Sequence, residues 1–145
     1  MRSSFRSIEA AAALLLLAAP VEAAGPRHPP IDQCATDRGF AAFRAGLRKA
    51  IAARDWPGFS AALADDVIVD FGGGAGKKAF AEAWDGGAPT SRLWAQAKAA
   101  LSLGCSRIGK TYEAPSIGRQ STGDYRFTFE RRGKQWRITA FVAGD

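Results

Sequence analysis

Apolar residues recur at three- and four-residue spacing in two stretches of the chain, which is the pattern of amphipathic helices. The first stretch begins at Asp37, a suitable helix cap, and runs to about Arg54. The second begins after Ser91, another suitable cap, and ends before Gly104. Between them, Pro57 suits the first turn of a short helix. The pattern therefore predicts helices at the start and in the middle of the domain.

Strand patterns lie between and after these helices. Residues 67–71 are β-branched and apolar, which predicts a strand, and a glycine-rich loop and a helix over 77–84 follow it. From residue 125 apolar and polar residues alternate, and residues 131–134 predict a hairpin turn. We expect the returning strand to place one set of side chains on a single face: Trp136, Ile138, Ala140 and Val142.

This order of elements predicts an α+β fold, with helices packed on one face of a curved antiparallel sheet. Residues 37–142 resemble the nuclear transport factor 2-like superfamily, which includes ketosteroid isomerase and SnoaL-type cyclases. The resemblance lies in the long helix ending Ala-Arg-Asp55, the Leu63-Ala-Asp65-Asp66-Val67 segment, the Gly76-Lys77 turn and a helix closing on Trp84. It implies a cone-like (NTF2-like) sheet closed by helices.

The chain departs from that family after its third helix. Where the family has a strand, residues 91–103 predict a helix, so residues 105–122 must supply the missing strand pairing. The segment Asp70-Phe-Gly-Gly-Gly and the closing residues 141–145 also resemble uncharacterised exported bacterial proteins.

Residues 1–23 have the three parts of a secretory signal peptide. Arg2 and Arg6 give a basic start, residues 10–19 are an uninterrupted Ala and Leu run, and Ala23 ends a small-residue cleavage site. Ten apolar residues are half of the roughly 20 that span a bilayer, so we expect no stable membrane span. We expect export to the periplasm or the extracellular space.

The remaining 122 of the 145 residues fit one domain. We predict a Pro-rich linker over 24–33 and a single domain over 34–145. The formal net charge is +6, and residues 1–23 carry two basic and two acidic residues, so the mature chain keeps that charge. Its basic residues are scattered rather than clustered, which argues against a nucleic-acid partner.

The chain has two cysteines, one on each side of the helical region. Cys34 precedes the first helix and Cys105 follows the last, and an isolated pair in an exported domain favours a disulfide. The only histidine, His28, lies in the predicted linker. We therefore expect no metal and no cofactor, and Cys-His or Ser-His-Asp catalysis lacks its histidine in the mature domain.

Asp70 is the candidate catalytic residue. In the steroid isomerase relatives a carboxylate at a similar place abstracts a proton inside an apolar pocket, so the resemblance implies a general base here. The alternative is that Asp70 caps the glycine turn. The family's tyrosine donor on the first helix is absent, because that helix offers only Phe40 and Phe43. Tyr112 and Tyr125 are the tyrosines left to polarise a carbonyl.

Two neighbouring features are expected to be structural. The Gly72–Gly76 loop before Lys77 and Lys78 is one residue short of a phosphate-binding loop and lacks its Ser or Thr, so it predicts a turn. Asp65 and Asp66 are likewise expected to be turn residues.

Large aromatic side chains are candidates for lining a ligand cavity, with ordinary core packing as the alternative. They are Phe43, Trp84, Trp94, Phe127 and Trp136, with Phe129 beside them. We interpret the chain as an exported binding or accessory module for a small apolar ligand. One alternative is a pocket enzyme of isomerase or cyclase type that uses Asp70. The other is an interaction module, including a homodimer, that acts through the sheet face.

Overall fold

Four α-helices and five strands make up the computed structural model, which describes residues 31–70, 72, 74–121 and 123–144. The predicted signal peptide and residues 24–30 of the predicted linker lie outside the described residues. The helices are α1 (Arg38–Ala53), α2 (Trp56–Ala62), α3 (Lys77–Ala83) and α4 (Leu93–Ser102). The strands are β1 (Leu63–Ile68), β2 (Ser106–Ile108), β3 (Thr111–Ala114), β4 (Tyr125–Arg132) and β5 (Gln135–Ala143). None of these helices combines the length and apolarity needed to cross a membrane.

The strands form one sheet in the order β1-β5-β4-β3-β2. All neighbours are antiparallel except β1 and β5, which run parallel. The predicted α+β class is confirmed. Residues 105–122 supply the pairing that the additional helix displaced, because they contain β2 and β3.

Strand β1 begins earlier than the sequence predicted. The prediction placed it at residues 67–71, whereas it begins at Leu63, which is fully buried and pairs with Ile138 of β5. The interpretation of Asp65 and Asp66 as turn residues was therefore wrong. Both are exposed strand residues, and their carboxylates pair with Lys77 at 3.1 Å and Arg132 at 3.3 Å respectively.

An extra residue in β5 reverses its alternation. Phe129 of β4 pairs with Ile138 and the preceding Thr128 pairs with Ala140, so Thr139 is unmatched and forms a bulge. The Thr139 hydroxyl donates to the Thr128 carbonyl at 3.3 Å. The prediction that Ala140 and Val142 share a face with Trp136 and Ile138 was consequently wrong, because a one-residue shift moves the following side chains to the other face.

Aromatic side chains fill the space between the helices and the sheet. Phe127 stacks on Phe129 and on Phe141, with ring centroids 5.3 and 4.2 Å apart. Such pairs add to the stabilisation that comes from apolar burial. Six phenylalanines are completely buried there: Phe40, Phe59, Phe80, Phe127, Phe129 and Phe141.

The first described residues are fastened to the domain by a disulfide and an ion pair. Cys34 and Cys105 are bonded, with their Cα atoms 5.7 Å apart. The Gln33 amide donates to the Cys105 carbonyl at 2.8 Å. The Arg44 guanidinium, which is buried in α1, donates two hydrogen bonds to the Asp32 carboxylate at 2.7 and 2.9 Å. Ordered pairing therefore extends into the last residues of the segment predicted as a linker.

We expect the disulfide to stabilise the fold substantially. It closes a loop of 71 residues, so replacing both cysteines with alanine should lower the free energy of unfolding by about 4 kcal/mol. Denaturant titration of both proteins checks this value, and thiol titration of the denatured, unreduced wild type should find no free thiol. Two free thiols in exported protein would contradict the pairing.

The Asp32–Arg44 pair should make stability depend on pH. The hydrogen bond from Arg44 lowers the pKa of Asp32 against the opposing effect of burial. Its contribution is therefore present above the unfolded-state pKa of about 3.9 and is lost as pH falls through the lower folded-state pKa. At pH 7, Asp32→Asn should cost about 1–2 kcal/mol, less than a fully buried pair because the Asp32 side chain is 34% exposed.

The cost of Asp32→Asn, measured by thermal unfolding, should shrink as the pH is lowered below about 4. The matched control is Asp66→Asn, which removes an exposed carboxylate paired with Arg132 and should have little effect. An Asp32→Asn cost that stays constant down to acid pH would contradict the role of the ion pair.

Candidate functional site

A shallow pocket lies on the sheet face opposite the helices, and we call it the open-face pocket. Its floor is formed by Ala140 and Val142, which the Thr139 bulge turns away from the core. Its volume is about 450 Å³. Side chains from β1, β3 and β4 complete its lining: Ile68, Glu113, Arg126 and Thr128, with Asp70 just beyond β1.

Asp70 lies at the margin of the open-face pocket and takes part in the glycine turn. Its side chain is exposed, and Oδ1 accepts a hydrogen bond from the Gly72 amide at 2.9 Å. The loop then folds back on β1: the Val69 amide donates to the Gly74 carbonyl at 3.2 Å, and the Gly76 amide to the Val67 carbonyl at 2.8 Å. The hydrogen bond from the Gly72 amide to Asp70 is the contact expected of a turn-capping aspartate.

The polar side of the open-face pocket is organised by one glutamine. The Gln120 amide nitrogen donates to the Glu113 carboxylate at 3.4 Å and to the Pro115 carbonyl at 3.1 Å. Arg126 donates to the Gln120 side-chain oxygen at 3.2 Å. A cation and a carboxylate thus stand beside an apolar floor, connected through a neutral amide, which is an arrangement suited to orienting the polar group of a bound molecule.

Neither candidate tyrosine shares this face with Asp70. The Tyr112 hydroxyl donates to Asp37 Oδ2 at 3.2 Å, at the N-terminus of α1. Burial raises the pKa of Tyr112 and the adjacent Asp37 carboxylate adds to the effect, so the hydroxyl remains a donor. Tyr125 packs against Trp84 with ring centroids 4.9 Å apart. Both tyrosines therefore lie on the helix side of the sheet.

The predicted ligand-binding aromatics also lie on the helix side. Trp84, Trp94, Phe127 and Trp136 are buried in the core, and Phe43 is half-buried against it. The indole nitrogen of Trp94 donates to the Ala88 carbonyl at 2.9 Å. Those of Trp84 and Trp136 are buried and have no hydrogen-bond partner among the residues that the structure describes. None of the five lines the open-face pocket.

The sequence analysis did not identify most residues of the open-face pocket. The alternation in β4 predicts that Arg126 and Thr128 lie on the face opposite the buried Phe127 and Phe129. These two residues could therefore have been assigned to this face from the sequence. Ala140 and Val142 were not, because nothing in their apolar pattern marks a bulge at Thr139.

One carboxylate and the two disulfide sulfur atoms lie close together without forming a metal site. Asp32, Cys34 and Cys105 have ligand-type atoms within 4.8 Å of one another. The two sulfurs are bonded to each other, so they offer no thiolate to a metal.

No protein-family model and no curated protein matches the chain. Solved structures with a similar fold include an NTF2-like protein of unknown function from Shewanella oneidensis MR-1, which is 13% identical, with 74% of this chain and 97% of that chain covered and a TM-score of 0.45. An NTF2-like protein of unknown function from Pseudomonas putida KT2440 is 18% identical, with 71% and 81% covered and a TM-score of 0.39.

A third similar structure is an NTF2-like protein with a cystatin-like fold from Novosphingobium aromaticivorans. It is 16% identical, with 71% of this chain and 81% of that chain covered and a TM-score of 0.35.

Substitution of Asp70 should distinguish a turn cap from a general base. Because Asn keeps the oxygen that accepts the Gly72 amide, Asp70→Asn should leave the melting temperature nearly unchanged. Asp70→Ala removes that acceptor and should cost about 1 kcal/mol in denaturant unfolding. Asp124→Ala, at another exposed carboxylate, controls for the change of charge. A clear stabilisation by Asn would instead indicate an unfavourably placed charge and favour the general-base role.

Proposed function

We propose that the protein is an exported binding module that holds a small, largely apolar molecule carrying one polar group in the open-face pocket. The observation that supports this is the Thr139 bulge, which places Ala140 and Val142 as an apolar floor beside Arg126 and Glu113. Small-molecule sites typically combine a mainly apolar lining with a few fixed polar groups, in volumes of about 300–1,000 Å³.

Packing on the helix side supports placing the ligand on the open face. The family that the sequence resembles implies a space between the helices and a cone-like sheet. In this chain, stacked aromatic side chains fill the centre of that space. A ligand placed between the helices and the centre of the sheet would have to displace rings such as Phe127 and Phe141, each fully buried, at a cost of several kcal/mol. The open-face pocket requires no such displacement.

The surroundings of Asp70 favour binding over isomerase or cyclase chemistry. A general base that abstracts a proton next to a carbonyl works with a donor that stabilises the developing negative oxygen. Asp70 is exposed and bonded to the Gly72 amide, and Tyr112 and Tyr125 lie on the other side of the sheet. Arg126 is the cation beside this pocket, and it can bind a polar group of a ligand without any chemical step.

Export is supported by two independent features. The first is the basic, apolar and small-residue pattern of residues 1–23. The second is the disulfide between Cys34 and Cys105, a bond that is typical of proteins outside the reducing cytoplasm.

A second candidate function is protein interaction through the same face, including formation of a homodimer. Ile68 supports it, since this large apolar side chain at the pocket margin is 46% exposed. Both sheet edges are partly paired. Residues 74–76 pair with the end of β1, and residues 31–33 pair beside β2. This pairing favours contact of an interacting protein with the face over addition of a strand.

Native mass spectrometry of protein purified from the periplasm tests both candidates. We expect a monomer, cleaved after Ala23 or one residue later, that retains a small-molecule adduct. The purified chain should also bind the neutral apolar fluorophore N-phenyl-1-naphthylamine. Thr128→Trp, which fills the open-face pocket from a half-buried position, should abolish the adduct and the fluorescence gain. Ala95→Trp, on the exposed side of α4, should change neither.

Other outcomes decide against parts of this proposal. A dimer without adduct that dissociates in Thr128→Trp would replace ligand binding with interaction through the face. A monomer that neither retains an adduct nor binds the fluorophore would overturn ligand binding and the homodimer. A chain in the membrane fraction that keeps its N-terminal segment would overturn export.

A further inference from the structure

A second pocket lies on the helix side of the sheet, at the end formed by the β4–β5 hairpin. Helix α1 begins only at Arg38, so the sheet beyond it is left uncovered and a space of about 550 Å³ remains. We call this space the basic pocket. Its lining comes from the start of α1, the β2–β3 turn and the hairpin: Asp37, Arg107, Gly109, Lys110, Thr111, Tyr112, Glu130, Arg131 and Trp136.

The floor of the basic pocket is a rigid aromatic pair. Tyr112 and Trp136 stack with ring centroids 4.6 Å apart and planes at 25°. They are only 6% and 7% exposed. Asp37 fixes the pair from below, because its carboxylate accepts both the Tyr112 hydroxyl at 3.2 Å and the Phe40 amide at 2.8 Å. Both residues line the basic pocket, and the small exposed part of this rigid pair offers a preformed contact for a planar group.

Cations without an ion-pair partner form the rim of the basic pocket. Arg107, Lys110 and Arg131 are exposed, and none pairs with a carboxylate among the residues described. Two carboxylates also line the pocket. Glu130 pairs with Arg132 at 3.3 Å, whereas Asp37 accepts hydrogen bonds from neutral donors, the Tyr112 hydroxyl and the Phe40 amide, and keeps its charge. Three rim cations against the charge of Asp37 leave an excess of positive charge beside the aromatic floor.

One residue of this floor, Trp136, has a buried hydrogen-bond donor without an acceptor among the described residues. The indole nitrogen of Trp136 makes no hydrogen bond within the described part of the chain, although burying an unsatisfied donor costs about 1–3 kcal/mol. This nitrogen belongs to a residue that lines the basic pocket, so its chemical environment reports on occupancy there.

We propose that the basic pocket binds a small organic anion, whose carboxylate or phosphate is held by the three rim cations and whose planar group contacts the Tyr112–Trp136 floor. Arginine and lysine donors form charge-assisted hydrogen bonds with such groups, and arginine can do so through two nitrogens at once. The site is separate from the open-face pocket, because it lies on the opposite side of the sheet and shares no lining residue with it.

Nitrogen-15 NMR of the Trp136 indole N–H tests this proposal, with the resonance assigned by its loss in Trp136→Phe. Phenyl phosphate and benzoate should shift the resonance in a saturable manner. Benzamide, which has the same ring without the charge, should not do so at equal concentration. Inorganic phosphate should bind more weakly than phenyl phosphate, because it cannot contact the aromatic floor.

Matched charge variants locate the binding. Arg107→Gln with Arg131→Gln should weaken phenyl phosphate binding about tenfold or more, since it removes two charge-assisted partners. Lys49→Gln with Lys98→Gln removes the same charge from exposed positions outside the basic pocket and should change affinity less than about twofold. All four positions are exposed, so both variants should keep the wild-type melting temperature.

Three results would overturn the proposal. The first is an unchanged Trp136 signal with either aromatic anion at millimolar concentration. The second is equal binding of benzamide or inorganic phosphate, because charge or ring would then contribute nothing. The third is equal weakening in the two double variants, which would indicate attraction to the overall charge of the protein. None of these results bears on N-phenyl-1-naphthylamine, which is neutral and addresses the other face.

Discussion

The unmatched residue Thr139 in β5 determines the two faces of the sheet. Before it, Trp136 and Ile138 pack toward the helices, and after it Phe141 does so instead of Ala140 and Val142. Without the bulge, strict alternation would turn Phe141 away from the core, where it now stacks on Phe127 at 4.2 Å. One residue of register therefore completes the aromatic core and also creates the apolar floor on the opposite face.

Partial coverage of both sheet edges favours the faces as functional surfaces. Residues 74–76 pair with the end of β1, where the Val67 carbonyl and the Val69 amide are bonded, while the disulfide and the Asp32–Arg44 pair hold residues 31–33 beside β2. The Gln33 side chain even accepts the outward amide of Arg107 at 3.0 Å. This pairing makes addition of a strand less favourable, so a ligand or partner is expected to contact side chains rather than backbone.

Much of the fold could be predicted from the sequence, because local sequence patterns determine most of its helices and strands. The helix cap at Asp37, the apolar stripe of α1 and the β4 alternation depend on neighbours within a few residues. The errors concern long-range pairing. Asp65 and Asp66 have turn-like composition, yet parallel pairing of β1 with β5 makes them strand residues. The bulge at Thr139 likewise depends on how β5 matches β4.

The candidate sites were harder to predict for the same reason. Arg107 and Arg131 are 24 positions apart in the sequence and lie in a scattered basic background, and only the sheet brings them to one pocket beside Tyr112. The sequence could indicate Asp70 as a single candidate residue, whereas the lining of both pockets comes from several strands. A sequence pattern identifies a residue type at a place, but a binding site needs the register between strands.

The uses of the aspartates explain why binding of anions is more natural to this chain than acid–base chemistry. Asp37, Asp55 and Asp70 accept backbone amides at helix starts or in a turn, with hydrogen bonds of 2.8, 3.1 and 2.9 Å. Asp32, Asp65 and Asp66 pair with cations. Each of these carboxylates thus has a structural partner. The cations are in excess, with a net charge of +6, and three that have no carboxylate partner within the described part of the chain surround the Tyr112–Trp136 floor. Although the basic residues are scattered over the chain, these three line one pocket, and such a surface favours a negatively charged ligand.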